Sequence, residues 1–403
     1  IHFEEKPNIM VEAGGGVSTD QGILAKGRTT HRNLGGFGHS ISGLGQVGYG
    51  WLGDEWRLDT QEPVWKAALL YEAPYVPGPG KRLVMELLLG EAIREPTYRL
   101  TQTGGSVGLR WNPSDQWSIF VDYRVQMRVL EDADPGALVV GDPWLETLGV
   151  DDANTDAFYT PSDPRLNSGP SALLRFDGRD DRFDPKEGLL VSMRFEVGDG
   201  FLADPVRVRS QTRLEELVPA GPVILALGGQ FGAGWVAGEG TLPLEERFYL
   251  GGNSSFRGFL LNRVGPANHS ARPDINYPSQ IEPVVEGLAI RDDSDHWVAT
   301  GGDAMGALSM EVRVPMSSLG MPSWDTTSMV FFCDVGRVGF LNPNIATTSQ
   351  LEGRDPLVRV GLGTGIRFAS PIGPASVELG FNPWRLTERD EAFIVPHLSL
   401  GAL

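Results

Sequence analysis

Along residues 117–129 the side chains alternate between two characters. Trp117, Ile119, Val121, Tyr123, Val125, Met127 and Val129 share one face, and Ser118, Phe120, Asp122, Arg124, Gln126 and Arg128 share the other. The same period recurs. Val206, Val208, Thr212 and Leu214 oppose Arg207, Arg209, Gln211 and Arg213; Leu308, Met310, Val312 and Val314 oppose Ser309, Glu311 and Arg313. In 358–368, Val358, Val360, Leu362, Ile366 and Phe368 oppose Arg359, Arg367 and three glycines. A repeat of two is the mark of a strand with one apolar and one polar face.

A soluble sandwich alternates as well, so strand length and the chemistry of the polar face separate the two architectures. These segments run to about ten residues or more, the span a tilted strand needs to cross the hydrocarbon of a bilayer. Their polar face is rich in arginine, glutamate, aspartate and glycine, as suits a crowded aqueous lumen rather than an open surface. Strands are expected near 8–17, 22–31, 37–51, 65–74, 81–92, 97–111, 116–129, 170–178, 188–198, 204–217, 223–234, 303–315, 327–337, 357–369, 374–381 and 392–402. The expectation is an all-β fold, a transmembrane antiparallel barrel of about sixteen strands over 8–403. With both termini on the periplasmic side, the connections Arg32–Gly36, Pro113–Asp115, Val218–Pro222 and Ser370–Gly373 are short, and the long ones, 130–169, 235–302 and 338–356, all fall outside.

Composition narrows the picture further. The 52 glycines and 29 prolines punctuate the whole chain instead of forming a linker. No apolar run approaches the ~18 residues of a spanning helix; Val223–Leu227 and Met329–Cys333 are strand-sized. A net charge of −18 disfavours nucleic acid as a partner. The single cysteine, Cys333, excludes an internal disulfide and any cysteine-rich metal site. Ile1 is not an initiator methionine, so removal of an N-terminal region is expected, with residues 1–7 as the end of a preceding segment.

One outer connection does not read as a solvated loop. It contains Glu246-Arg247-Phe248-Tyr249-Leu250-Gly251-Gly252-Asn253-Ser254-Ser255-Phe256-Arg257-Gly258-Phe259. A glycine-rich surface turn explains Gly251 and Gly252 but not the aromatics, which suggest a hairpin folded back into the barrel. This stretch resembles the BamA/TamA superfamily of outer-membrane assembly factors, also known as the bacterial surface antigen family. Its hallmark is an Arg-Gly-Phe/Tyr tip in the sixth outer loop after a Phe-Tyr-Leu-Gly-Gly type sequence. Further matches follow in order: Phe332-Cys333-Asp334-Val335-Gly336 resembles a Phe-x-Asp-x-Gly on the thirteenth strand, and Glu311 stands where the twelfth carries a glutamate. Ser370-Pro371-Ile372-Gly373-Pro374, Asp177-Gly178-Arg179-Asp180 with Pro185 and Gly188, and His31-Arg32-Asn33-Leu34-Gly35-Gly36 resemble family turns.

By alternation Glu311 and Asp334 both point into the lumen from neighbouring strands. A planar, permanently charged guanidinium at Arg257 can bridge two carboxylates and pin the loop tip to the wall. Gly258 removes a side chain where the loop must approach closely, and Phe259 completes the tip. Arg257, Gly258, Phe259, Glu311 and Asp334 are therefore the candidate loop-tip lock. A second candidate is the seam where the first strand meets the last. Gly14, Gly15 and Gly16 weaken the first strand; Pro396 cannot donate a ladder bond, and Gly401 lies near the end of the last. In the family that seam is a lateral gate at which client strands are thought to be templated by β-augmentation. One departure is the terminal Leu403, where many outer-membrane proteins end in an aromatic.

Other signals carry less. Gly43-Leu44-Gly45-Gln46-Val47-Gly48 fits a dinucleotide fingerprint by letter, but strand-like Tyr49-Gly50-Trp51 follows instead of a helix. There is no His-Glu-x-x-His spacing and no Gly-x-Ser-x-Gly elbow, so neither catalytic nor metal residues are assigned and no cofactor is implied. Arg291-Asp292-Asp293-Ser294-Asp295 reads as a solvated acidic loop rather than a calcium site. Trp51, Trp56, Trp65, Trp117 and Trp384 suit interfacial girdles. The resemblance implies a non-enzymatic insertase or translocation factor of the bacterial outer membrane. Its partners would be lipid, client outer-membrane proteins, and preceding periplasmic POTRA modules with accessory lipoproteins. The alternatives are a polypeptide secretion pore of the two-partner type and a barrel phospholipase.

Overall fold

A computed structural model describes residues 8–401, apart from 53–56, 75–77, 132–136, 138–163, 182–183, 201–205, 238–240, 270–296, 322–323, 325, 343–346, 348–357 and 371–372. Residues 1–7, Trp56, Asp292, Asp293, Asp295 and Leu403 thus lie outside the described residues, and the side chain of Trp51 is not described.

The chain forms the strands β1 (Ile9–Ser18), β2 (Gly22–Leu34), β3 (His39–Leu52), β4 (Arg57–Ala73), β5 (Lys81–Glu95), β6 (Tyr98–Trp111), β7 (Trp117–Glu131), β8 (Arg165–Asp177) and β9 (Gly188–Gly198). These are followed by β10 (Arg207–Ala220), β11 (Val223–Val236), β12 (Ala267–His269), β13 (Trp297–Ala299), β14 (Ala304–Pro315), β15 (Thr327–Gly339), β16 (Arg359–Ser370), β17 (Gly373–Phe381) and β18 (Ile394–Gly401). All except β12 and β13 close into one barrel, each strand antiparallel to its neighbours, with β11 next to β14 and β1 next to β18. The sixteen-stranded barrel expected from alternation is the fold found. β12 and β13 are an addition: they pair with each other inside the long β11–β14 connection, where no periodicity had marked them. β4 and β8 also begin earlier than expected, at Arg57 and Arg165. Pro63 and Pro170 each lie within a paired strand, opposite Tyr49 and Tyr123.

Burial runs the reverse of a soluble protein. Val121, Tyr123, Met193, Leu308, Met310, Leu362 and Ile366 are exposed on the outside of the barrel, whereas Asp122, Glu311, Asp334, Arg359 and Glu378 are buried within it. Apolar surface left outward is stable only against lipid, and buried charge only with partners. Val191 and Val360 share the outward parity and are partly covered. Trp65, Trp117 and Trp384 are exposed. Neighbouring strands carry ion pairs across the inner face, among them Lys66–Glu91 at 3.1 Å and Arg209–Glu196 at 2.9 Å. All three long connections, β7–β8, β11–β14 and β15–β16, leave the barrel at the same end.

The turns at the opposite end show why their sequences suit them. After β2, Asn33, Gly35 and Gly36 all have positive φ, and the Asn33 side chain accepts the Gly38 N–H at 2.8 Å. After β8, Arg179 makes a two-pronged contact with Asp177, at 2.9 and 3.1 Å.

Candidate functional site

The β11–β14 connection brings Arg257 to a cluster of inner-face residues. Its Nη1 donates to Glu311 Oε2 of β14 at 2.6 Å and to Glu378 Oε2 of β17 at 3.2 Å. Its Nε and Nη2 donate to the two oxygens of Asp334 on β15, each at 3.0 Å, and its backbone N–H reaches Asp334 Oδ2 at 2.8 Å. Ser309 accepts from Nη2 at 3.0 Å and itself donates to Asp334 at 2.6 Å. The guanidinium also lies 3.7 Å from the centre of the Phe332 ring, a cation–π contact that leaves its edges free for oxygen.

Burial of this many charges is tolerable only if they balance. They do: Glu311, Asp334 and Glu378 meet Arg257, Arg313 and Arg367. Arg313 lies 2.7 Å from Glu311, and Arg367 bridges Glu311 at 2.9 Å and Glu378 at 2.8 Å. Burial alone would pull the Arg257 guanidinium down, but Asp334, Glu311 and Glu378 outweigh it and hold the group above its ordinary value. The structure therefore brings the expected Arg257, Glu311 and Asp334 within direct contact. Glu378, Arg313 and Arg367 were not singled out from sequence; the only signal available was their polar-face parity.

The backbone beside Arg257 fits a groove of glycines. Gly258 has φ +105, and a Cβ there would sit 3.0 Å from Gly361 Cα and the Phe381 carbonyl oxygen. A side chain on Gly361 of β16 would run into the Arg257 carbonyl, and one on Gly380 of β17 into the Gly258 backbone. Phe259 is buried, 5.4 Å from Phe256 edge to face, with the Arg359 guanidinium 4.8 Å from its ring centre. Phe248, Leu250, Phe256 and Phe259 form an apolar cluster with Val236, Met305, Ala307 and Val338 of the flanking strands. That cluster accounts for Phe248, Phe256 and Phe259 of the loop, and Tyr249 packs against a second one that contains Tyr98, Leu100, Leu244 and Val298.

A second anchor was not foreseen. Glu246, at the end of a short 3-10 turn (Leu244–Glu246), accepts from Arg207 of β10 at 2.6 and 2.8 Å, from Arg128 of β7 at 2.6 Å and from Asn167 of β8 at 3.0 Å. Burial pushes the Glu246 carboxyl up, yet Arg207 and Arg128 prevail and hold it below the ordinary carboxylate range. The loop is thus fixed near its root to one wall and at its tip to the other.

At the seam, Gly16, Val17 and Ser18 of β1 pair with Gly401, Leu400 and Ser399 of β18, and Thr19 N–H reaches Leu398 O at 2.9 Å. Beyond these, β1 and β18 share no register among the described residues. By contrast, β1 pairs with β2 along all of Ile9–Ser18. Of the five seam candidates only Gly16 and Gly401 face each other. Gly14 and Gly15 pair with Lys26 and Ala25 of β2, and Pro396 with Leu379 of β17. The short pairing comes from the stagger of the two strands, with the upper part of β1 meeting the lower part of β18. Among the described residues no group of histidine, cysteine, aspartate or glutamate is arranged to hold a metal ion.

Residues 33–401 match the model of the Omp85 superfamily domain. A SAM50-like protein of Schizosaccharomyces pombe (strain 972 / ATCC 24843) is 27% identical over 248 residues, 58% of this chain and 45% of that protein, so the chain spans less than half the length of this curated relative. The fold is similar to BamA from Haemophilus ducreyi lacking POTRA domains 1–3, with a TM-score of 0.75 at 16% identity, over 98% of this chain and 70% of that one. It is also similar to CdiB from Acinetobacter baumannii, with a TM-score of 0.51 at 12% identity, over 97% of this chain and 58% of that one. The family match spans nearly all of a closed sixteen-stranded barrel, and the chain belongs to the Omp85 superfamily.

Proposed function

We propose that this barrel acts as an outer-membrane insertase or translocation factor of the BamA/TamA type, templating client β-strands at the seam between β1 and β18. The observation that carries the reading is the shortness of that seam. Among the described residues, Ile9–Gly15 of β1 have partners on β2 but share no register with β18, which supports a strand edge able to accept another strand by β-augmentation. No bond is broken in such work. The barrel supplies an edge and a locally perturbed bilayer, and the partners are lipid and client outer-membrane proteins. Preceding POTRA modules and accessory lipoproteins would deliver those clients.

In this reading the sixth outer loop folds into the lumen and is locked there by Arg257, Gly258 and Phe259 against Glu311 and Asp334. The ion-pair cluster and the glycine groove support that role. The long connections, all at one end, support a reading in which that end is the outer one and both termini are periplasmic.

The test is a reversible staple across the seam. Ser18 and Ser399 are directly opposed, a spacing within disulfide reach. Ser18→Cys with Ser399→Cys, in a Cys333→Ser background, should stop client insertion into liposomes by the complete protein when oxidised, and reduction should restore it. A secretion pore working through its lumen, or a barrel enzyme with a fixed surface site, tolerates the staple. Full insertion by verified, crosslinked protein rejects the seam mechanism.

A further inference from the structure

Asp20 lies in the turn between β1 and β2, and its carboxylate reaches out of that turn. Oδ1 accepts the Asn253 N–H at 2.9 Å, and Oδ2 accepts the Ser254 N–H at 3.1 Å and the Ser254 hydroxyl at 3.2 Å. These donors sit at the tip of the β11–β14 loop, immediately before Arg257. Gly252 makes the approach possible: a Cβ there would stand 2.6 Å from Asp20 Oδ1. Gly252 thus admits a carboxylate from the other end of the chain, while Gly251 makes room for the backbone of Leu260–Arg263.

The same tip is fixed on the far side of the seam. Arg257 holds Glu311, Asp334 and Glu378 on β14, β15 and β17, and the Gly258 N–H is 3.5 Å from His397 Nε2 on β18 itself. Between the two attachments the tip is internally braced. Gly252 N–H reaches Phe259 O at 3.0 Å, Phe256 N–H reaches Gly252 O at 3.1 Å, and Ser255 Oγ donates to Gly251 O at 2.7 Å. A braced segment with one end on β1–β2 and the other on β14–β18 spans the gap that the short β1–β18 ladder leaves weak.

We propose that Asn253–Gly258 is a strap across the seam: β1 parts from β18 only when Asp20 releases Asn253 and Ser254, or when Arg257 lets go of its carboxylates. The strap rests on the reading of the seam as openable and adds a latch to it. Its strength lies in hydrogen bonds to an ionised carboxylate, which are stronger than the neutral ladder bonds they supplement.

Amide hydrogen exchange of the complete protein in lipid nanodiscs tests this, because exchange reads local opening directly. In wild type the Thr19 amide should exchange faster than the amides of β6 and β7; equal protection there counts against the openable seam and leaves the strap to be judged on the variants. Asp20→Ala should lower protection of Val17–Thr19 and of Leu398–Gly401 by roughly ten- to hundredfold, the range for loss of bonds to a charged group, with β6 and β7 unchanged. Asp20→Asn, which keeps an acceptor oxygen, should fall between and covers the case in which the alanine variant does not fold. Arg257→Ala should release the same amides, and the double variant should exceed neither single change, because a strap cut at one end carries no load. Unchanged seam protection in the Asp20 variants overturns the proposal. So do multiplying effects in the double variant, which would mark two independent local contacts.

Discussion

The backbone N–H and the guanidinium of Arg257 converge on a single carboxylate, that of Asp334, at 2.8, 3.0 and 3.0 Å. Holding both main chain and side chain fixes where the loop runs as well as where its charge sits. Glu311 and Glu378 then occupy the remaining edge of the guanidinium, so the arginine is shared by three strands.

Replacing Arg257 by alanine should leave three buried carboxylates short of a partner. Removing one member of a buried pair costs about 3–5 kcal/mol, less where water enters the lumen. Arg257→Lys should recover only part of this, since an ammonium cannot reach several oxygens in the plane of a fork. The midpoint of heat-modified electrophoretic mobility in detergent checks both variants; wild-type midpoints would remove the cluster from the account of stability.

The root anchor carries a pH signature. Glu246 is held below its ordinary value of 4.5 in the folded protein, so its contribution is present above that value and fades as pH falls through the lower, folded-state value. Thermal unfolding followed from pH 6 down to pH 3 should show a loss of stability below about pH 4.5. That part of the loss should be absent in Glu246→Gln, which starts less stable at neutral pH. Parallel curves for the two proteins would contradict the assignment.

Lipid and lumen faces should respond oppositely to charge. Arginine at Val121 or Leu362, both outward and exposed, should cost ~2–4 kcal/mol near mid-bilayer. Glutamine at the inward Arg124 or Arg194 should be mild. Folding yields into lipid vesicles measure the difference, and equal penalties on the two faces would argue against the membrane assignment.

The glycine groove predicts a steric effect without any change of charge. A methyl group on Gly361 or Gly380 meets the Arg257–Gly258 backbone, so each alanine variant should lift the loop tip and cost about 1–3 kcal/mol. Alanine at Gly45, where a Cβ meets nothing within 4 Å, should be nearly neutral and serves as the control. Unfolding midpoints that fail to rank the three variants in this way would show that the groove is not filled.

Side-chain parity is a local property, and the sequence by itself determined it. Alternation placed Glu311 and Asp334 on the inner face and Val121 and Leu362 on the outer one, and the glycine and aromatic pattern of 246–259 set that loop apart from a solvated turn. The count of barrel strands followed for the same reason, since each barrel strand announces itself within its own dozen residues, as the three-residue β12 and β13 do not. Register and loop path are long-range, and only the tertiary structure decided them. Glu378 has the same parity as Glu311, but its meeting with Arg257 depends on the stagger of β14 to β17. Glu246 finds Arg128 and Arg207, and Asp20 finds Asn253, across separations that no period of two encodes. At the seam, the sequence supplied the glycines and the proline, while the stagger between β1 and β18 selected Gly16 and Gly401 as partners and the register of β17 with β18 set Pro396 opposite Leu379. Closing a sheet into a barrel fixes that offset for all strands together, so it cannot be read from any one of them.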